Sequence, residues 1–174
     1  MKVLGFAASS STKSINKMLV TYAVSLLTDA EVEILDLNDY ELPLFSEDKE
    51  EEIGQPSLAK DFLRKIGESD TLVISFAEHN GSFSAAFKNL FDWCSRINPK
   101  LFQGKPMVLL STSPGSRGGA NVLIAAKALS SRFAGEVKAS VSIPGFYENF
   151  DMESKKLKNF ELDEQLDRAV KSLL

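Results

Sequence analysis

Two runs constrain the fold more than anything else in the chain: "DTLVISFA" at 70–77 and "KPMVLLSTS" at 105–113. Each is apolar at nearly every position rather than at every second one, the pattern of a strand covered on both faces. Between them Phe83, Phe87, Leu90, Phe91, Cys94 and Ile97 recur at helical spacing, and a helix is what a parallel pair needs for its crossover. The alternation extends in both directions. Upstream, "KVLGFAA" at 2–8 reads as a buried strand and "VEILDL" at 32–37 as another. Residues 14–27 between them place Ile15, Met18, Leu19, Tyr22, Ala23, Leu26 and Leu27 on one helical face. A connection at 38–55, with Pro43 and the acidic run "EDKEEE", leads to a helix marked by Leu58, Phe62, Leu63 and Ile66, with Gly67 as its stop. Downstream come a helix over 120–133, a fifth strand at 137–143 and an amphipathic helix over 162–174. Such alternation specifies the α/β class: a mostly parallel sheet with helices on both faces, a three-layer doubly wound domain. At 174 residues the chain suits one domain.

Composition removes several classes of function. A formal charge of -4 and a pI near 5.1 supply no excess of Lys and Arg for a phosphate backbone, so no nucleic-acid partner is expected. The longest apolar windows fall short of the roughly 18 to 20 residues that span a bilayer. The opening "MKVLGFAA" is too short for a secretory signal, so no membrane association and a cytoplasmic address are expected. One cysteine, Cys94, and one histidine, His79, are too few for a disulfide or a His/Cys metal centre, and no metal is expected. Cys94 reads as a small core filler, Trp93 and the phenylalanine row as core or subunit contact, and "EDKEEE" as a solvated loop.

In a doubly wound sheet, ligands lie beyond the carboxyl ends of the strands, where the strand order reverses. Three loops leave those ends. The first, "AASSSTKSIN" at 7–16, has neither G-x-G-x-x-G nor Gly-Lys-Ser/Thr. It offers five hydroxyls, Ser9, Ser10, Ser11, Thr12 and Ser14, at the start of a helix. Hydroxyls beside free N–H groups suit a phosphate, although a plain helix cap such as Ser14 uses one of them. The second loop, "AEHNGS" at 77–82, is either a turn with a helix cap at Ser82 or Ser84, or a place where the amides of Asn80, Gly81 and Ser82 face a planar ligand. The third, "STSPGSRGGAN" at 111–121, has little side chain around Pro114, Gly115, Gly118 and Gly119, and adds the cation Arg117. A flat group can lie against such main chain, although Pro and Gly also simply make turns.

Taken together these residues resemble the NADPH-dependent FMN reductase family of flavodoxin-like fold, which includes quinone, azo-dye and chromate reductases. The family's first loop, G-S-x-R-x-x-S-x-N, meets Ala8, Ser9, Ser11, Ser14 and Asn16; its second, P-E-Y-N-G-S followed by K-N-x-x-D-W, meets "AEHNGS" and "KNLFDW". Its third, S-P-G-x-x-G-G, is matched in full from Ser113 to Gly119, and "ELPLFSED" at 41–48 follows the family's segment after strand two. The resemblance implies a five-stranded sheet of order 2-1-3-4-5 and a single FMN-binding domain over 1–174. It implies FMN phosphate at Ser9, Ser11, Ser14, Ile15 and Asn16. The isoalloxazine ring is then expected between Glu78, His79, Asn80, Gly81, Ser82 on one side and Ser113, Pro114, Gly115 on the other, with Gly118 and Gly119 completing the third loop. Ser11 stands where the family usually has arginine, with Lys13 available to substitute; Ala8 replaces glycine, Ala77 proline and His79 tyrosine.

The implied activity is hydride transfer from NADPH or NADH to FMN and on to a small acceptor such as a quinone, azo compound, free flavin or metal oxyanion, in a homodimer or homotetramer. Such chemistry needs no acid–base dyad from the protein, and no catalytic side chain is assigned. The main alternative is a flavodoxin-type electron carrier, which usually sandwiches the ring with aromatic side chains; here only His79 and Phe83 are near. A receiver domain would need an acidic pair after strand one and an aspartate after strand three, which "AASSS" and "AEHNGS" lack. A Ser–His hydrolase would rest on His79, without a G-x-S-x-G elbow.

Overall fold

The computed structural model describes residues 1–174. Five parallel strands, β1 (Lys2–Ala8), β2 (Glu31–Leu35), β3 (Thr71–Phe76), β4 (Pro106–Thr112) and β5 (Glu136–Ile143), form one sheet in the order β2-β1-β3-β4-β5. The helices are α1 (Ile15–Ser25), α2 (Glu47–Ile53), α3 (Ser57–Glu68), α4 (Ala85–Ile97), α5 (Ala120–Arg132), α6 (Phe146–Asn149) and α7 (Phe160–Lys171). The flavodoxin-like order expected from the resemblance is the order found.

The pleat of each strand divides its side chains between two cores. Leu4, Phe6 and Ala8 of β1, with Leu72, Ile74 and Phe76 of β3, pack under α3, α4 and α5. Val3 and Val73, with Val108 and Leu110 of β4, pack under α1 and α7. This two-sided burial is the physical cause of the continuous apolar runs. Trp93 and Cys94 lie wholly in the first core, as expected, and the Trp93 indole N–H donates to the Pro43 carbonyl at 2.7 Å. In register, Ala8 pairs with Phe76 and Phe76 with Ser111. The carboxyl ends of β1, β3 and β4 are therefore level, and their three loops start side by side where the strand order reverses.

Two expectations are corrected. The acidic run is helical rather than a loop: Ser46 caps α2 by accepting from the Lys49 amide at 3.0 Å, and Glu47, Asp48 and Glu50 sit at its positive end. It remains solvated, with no buried residue. After β5 the chain does not pass straight to the last helix. It forms α6 and a small antiparallel hairpin, β6 (Phe150–Asp151) with β7 (Lys156–Leu157), burying Phe146, Phe150 and Leu157 against α1 and α7. Strand β2 is also exposed along much of its length, as an edge strand is.

Candidate functional site

Ser14 ends the first loop by capping α1, its hydroxyl accepting from the Lys17 amide at 3.1 Å. That leaves the Ile15 and Asn16 amides of the first turn without an acceptor in the protein, as helix geometry requires. Ser9 accepts from the Ser11 amide at 3.2 Å. Ser9 and Ser14 are both buried, yet neither hydroxyl donates to any protein acceptor. Two buried O–H donors and two free amides at the positive end of a helix call for an anion. They surround a cavity of about 240 Å³ that is also lined by Ser11, Lys13, Ala77, Glu78, His79, Thr112, Ser113, Pro114 and Tyr147. Ser11 and Lys13 are exposed, so Lys13 is the cation next to this cavity.

The Asn16 side chain does something the sequence did not reveal. It is 3% exposed. Its carboxamide oxygen accepts from Ser75 Oγ at 2.7 Å and the Thr112 amide at 3.1 Å, and its nitrogen donates to the Thr112 carbonyl at 3.2 Å. The β3–β4 ladder has stopped at Phe76 and Ser111, and the Asn16 carboxamide then bonds Thr112 as the next peptide would. The carboxamide is thus largely committed to the sheet edge, and what it leaves toward the expected phosphate is its second side-chain N–H and the Asn16 backbone amide, neither with an acceptor in the protein. Lys17, one residue on, is paired with Asp36. The Lys17 hydrogen bond, helped by the Asn38 amide, holds the Asp36 carboxyl below its ordinary range.

In the second loop, His79 and Ser82 exchange backbone hydrogen bonds, His79 N to Ser82 O at 2.9 Å and Ser82 N to His79 O at 3.1 Å. Asn80 and Gly81 fill the turn with φ of 52° and 78°. This is the two-residue hairpin that Asn-Gly favours, because both central residues need positive φ. The Ser82 amide is therefore spent inside the turn, which corrects its expected part in facing a ligand; Asn80 and Gly81 keep theirs free. Gly81 opens onto space, with nothing within 4 Å of where a Cβ would stand. No hydrogen bond joins His79 to a serine hydroxyl. Ser84 rather than Ser82 caps α4, accepting from the Phe87 amide at 3.2 Å and donating to the Ala8 carbonyl at 2.8 Å.

Glu78 ties this loop to the third. Its carboxylate accepts from the Val122 amide at 3.0 Å and from the Asn121 amide group at 3.4 Å, supplying the cap that α5 lacks because its own N-cap is Gly119. In the third loop, the Gly115 carbonyl accepts from the Gly118 and Gly145 amides, and the Ser113 carbonyl accepts from Phe146. The Gly115 amide is free, and a Cβ there would meet only Ser113 Oγ at 3.9 Å. Gly118 and Gly119 are different. Both are buried, and a Cβ on Gly118 would stand 2.4 Å from Ser142 Oγ and 2.8 Å from the Ile143 carbonyl carbon. They seat the loop on β5 and β4, and neither lines the cavity. Sequence reading missed Thr112 and Tyr147 as lining residues. The aromatic density of "GFYENF" was the available signal, and Tyr147 stays 58% exposed while Phe146 is buried.

This donor set fits a phosphate followed by a flat heteroaromatic ring. Donors cluster at α1, and free amides of Asn80, Gly81 and Gly115 follow on loops that carry little side chain. No helix is long and apolar enough to cross a membrane. The chain matches the family model for NADPH-dependent FMN reductase over residues 1–147. It is 32% identical over 121 residues to the NAD(P)H-dependent FMN reductase PA1204 of Pseudomonas aeruginosa, a match covering 69% of this chain and 64% of that protein. It is 31% identical over 123 residues to an NADPH:quinone oxidoreductase of Arabidopsis thaliana, covering 68% of this chain and 61% of that one. The chain thus matches less than two thirds of the length of either relative. Its fold superposes on the flavoenzyme FerB of Paracoccus denitrificans with a TM-score of 0.77 at 22% identity, covering 99% of this chain and 94% of that one. With three loops of the expected chemistry level at one sheet edge and the family match running from the first residue to the start of α6, this chain belongs to the NADPH-dependent FMN reductase family.

Proposed function

We propose that the protein is an NAD(P)H-dependent FMN oxidoreductase that delivers reducing equivalents to a small acceptor, a quinone, azo compound, free flavin or metal oxyanion. The observation that carries this reading is the cavity at the start of α1, whose buried Ser9 and Ser14 hydroxyls and free Ile15 and Asn16 amides are donors without acceptors. FMN, when bound, supplies the hydride chemistry. The residues of the chain bind and orient it. Ser9, Ser11, Ser14 and the first-turn amides hold its phosphate, with Lys13 contributing charge. The free amides of Asn80, Gly81 and Gly115 are placed to donate to polar atoms on the ring edge, where charge grows on reduction. Glu78 keeps the two ring-facing loops at a fixed separation through α5.

The test is an FMN titration of the purified chain followed by NADPH oxidation with a quinone acceptor. Saturable binding and direct oxidation are expected, and a chain that ignores saturating FMN overturns the reading. Gly115→Leu, which has room within the fold, should weaken FMN binding without loss of stability. Tyr147 favours a second reading, since it lines the cavity as an aromatic that a flavodoxin-type carrier would use. Flavin that binds but is not reduced directly by NADPH decides for the carrier. A cytoplasmic homodimer or homotetramer completes the proposal: Leu44, 82% exposed beside a cavity between the 37–44 segment and α4, is surface that self-association would cover, and sedimentation velocity reads the assembly.

A further inference from the structure

The flavin cavity has a larger neighbour. A depression of about 500 Å³ lies between α1 and the β6–β7 hairpin, lined by 11 residues that include Ser14, which it shares with the flavin cavity. Its volume is within the range of about 300 to 1,000 Å³ typical of small-molecule sites. Three lysines line it, Lys17, Lys155 and Lys156, and no Asp or Glu does. That is a strong local bias in a chain of 24 acidic and 20 basic residues.

Three acids near the depression are engaged, and a fourth, Glu153 in the hairpin turn, is exposed, unpaired and outside the lining. Asp36 pairs with Lys17, Asp163 accepts from the Tyr22 hydroxyl at 2.5 Å, and Asp151 accepts from the Glu153 amide at 2.9 Å inside the hairpin turn. Lys155 and Lys156 take part in no ion pair. The hairpin turn is fixed by Asp151, and Lys155 holds a positive φ of 57° within it. The rest of the lining combines hydroxyls, from Thr12, Thr21, Ser25 and Ser154, with an apolar part made of Met18, Tyr22 and the exposed Met152. Cations and hydroxyls beside a soft, flat apolar surface suit a ligand that is anionic at one end and aromatic at the other.

We propose that this cavity binds a phosphorylated adenosine, the 2′-phosphate end of NADPH, next to the flavin cavity and through Lys155 and Lys156. The inference rests on the reductase reading for its biological ligand, and it deepens that reading by choosing NADPH over NADH. The two lysines lie beyond the residues that match the family, 1–147, so the preference is written in a part of the chain outside that match.

Calorimetric titration of the whole chain with adenosine 2′,5′-bisphosphate, adenosine 5′-monophosphate and inorganic phosphate tests it, because none of these probes needs flavin. The bisphosphate should bind at least about tenfold more tightly than the monophosphate, about 1.4 kcal/mol. The double variant Lys155→Gln/Lys156→Gln should remove that difference while its FMN affinity matches wild type. Thr21→Trp, on the exposed face of α1, should block the bisphosphate by filling the cavity and serves as a second, charge-neutral variant. Equal binding of bisphosphate and monophosphate, bisphosphate binding unchanged in both variants, or inorganic phosphate competing as strongly as the bisphosphate overturns the assignment, the last reducing it to a free-anion site. Flavin binding runs in parallel. Intact flavin binding without bisphosphate selectivity overturns this inference alone; absent flavin binding with a selective bisphosphate site overturns the reductase reading and upholds the cavity.

Discussion

Replacing Asn16 with leucine separates the structural role of its side chain from a ligand role at a residue expected to meet the phosphate. Leucine has the branching and heavy-atom count of asparagine with slightly bulkier ends, so the substitution leaves no cavity, and its main cost falls on the partners it orphans. Ser75 Oγ, 2.7 Å from the lost oxygen, can rotate toward another acceptor. The Thr112 amide and carbonyl, at 3.1 and 3.2 Å, belong to fixed main chain and cannot. Each buried group left without a partner costs about 1 to 3 kcal/mol, so two give roughly 2 to 6, and about 3 kcal/mol is the expected loss once some relaxation is allowed. Against a total of about 5 to 15 kcal/mol the variant still folds. In a chain of 174 residues each kcal/mol moves Tm by about 2 to 4 °C, which gives a drop of about 6 to 12 °C. Urea denaturation followed by circular dichroism should show the midpoint falling with an unchanged slope. Ser75→Ala, which removes one of the three bonds, should cost about 1 kcal/mol. Wild-type stability in Asn16→Leu refutes the argument, and if flavin binding is lost at the same time, the side chain is a ligand contact instead.

The remaining predictions use the same instruments. Gly118→Ala places a Cβ 2.4 Å from Ser142 Oγ and 2.8 Å from the Ile143 backbone at a φ of 56°; a loss of at least about 2 kcal/mol in urea is expected, and a neutral result sinks the seating role. Burial pushes the Cys94 thiol up to about 12, so a disulfide reagent at mildly alkaline pH should label it only when urea is added, and prompt native labelling contradicts its place in the core. The Lys17 hydrogen bond, with the Asn38 amide second, depresses Asp36 below its ordinary 3.8. Its stabilisation is therefore present above 3.8 and fades as pH falls through the folded-state value. Wild type and Asp36→Asn should differ in urea midpoint at neutral pH and converge in acid; a gap that ignores pH refutes the pairing.

The sheet was legible because two-sided burial writes itself into consecutive apolar residues, as at 70–77 and 105–113. The three loops were legible because hydroxyls, Asn-Gly and Pro-Gly have few uses at strand ends. What escaped was short or solvated structure. Helix α2 has no apolar stripe to betray it, only a cap at Ser46 and acids at its start. The β6–β7 hairpin has two residues per strand, too few to show alternation. The destinations of polar side chains were also hidden. Nothing local distinguishes an asparagine that contacts a ligand from one that reaches a strand 96 positions away, as Asn16 reaches Thr112.

That last point explains how the site can depart from its family's pattern and keep its form. Asn16, Glu78 and Ser84 fasten α1, α5 and α4 to the sheet edge, while Gly118 and Gly119 seat the third loop. All five agree with the pattern or cap a neighbouring helix, and each fixes main chain in place. Ser11 and His79, where the family usually has arginine and tyrosine, are exposed and carry no such duty in their side chains. Changing them alters the charge and outline offered to a ligand without loosening the loops that present Asn80, Gly81 and Gly115. With Ser11 at the arginine position, positive charge at the proposed phosphate site rests on Lys13 and the helix terminus. On the proposed reading, phosphate binding depends more on neutral donors, Ser9, Ser14 and the first-turn amides, than on an ion pair. Neutral donors in a buried pocket are screened less by added salt than an exposed cation is. A flavin affinity that holds from low to moderate ionic strength follows from that division of labour, whereas a steep salt dependence would return the main role to Lys13.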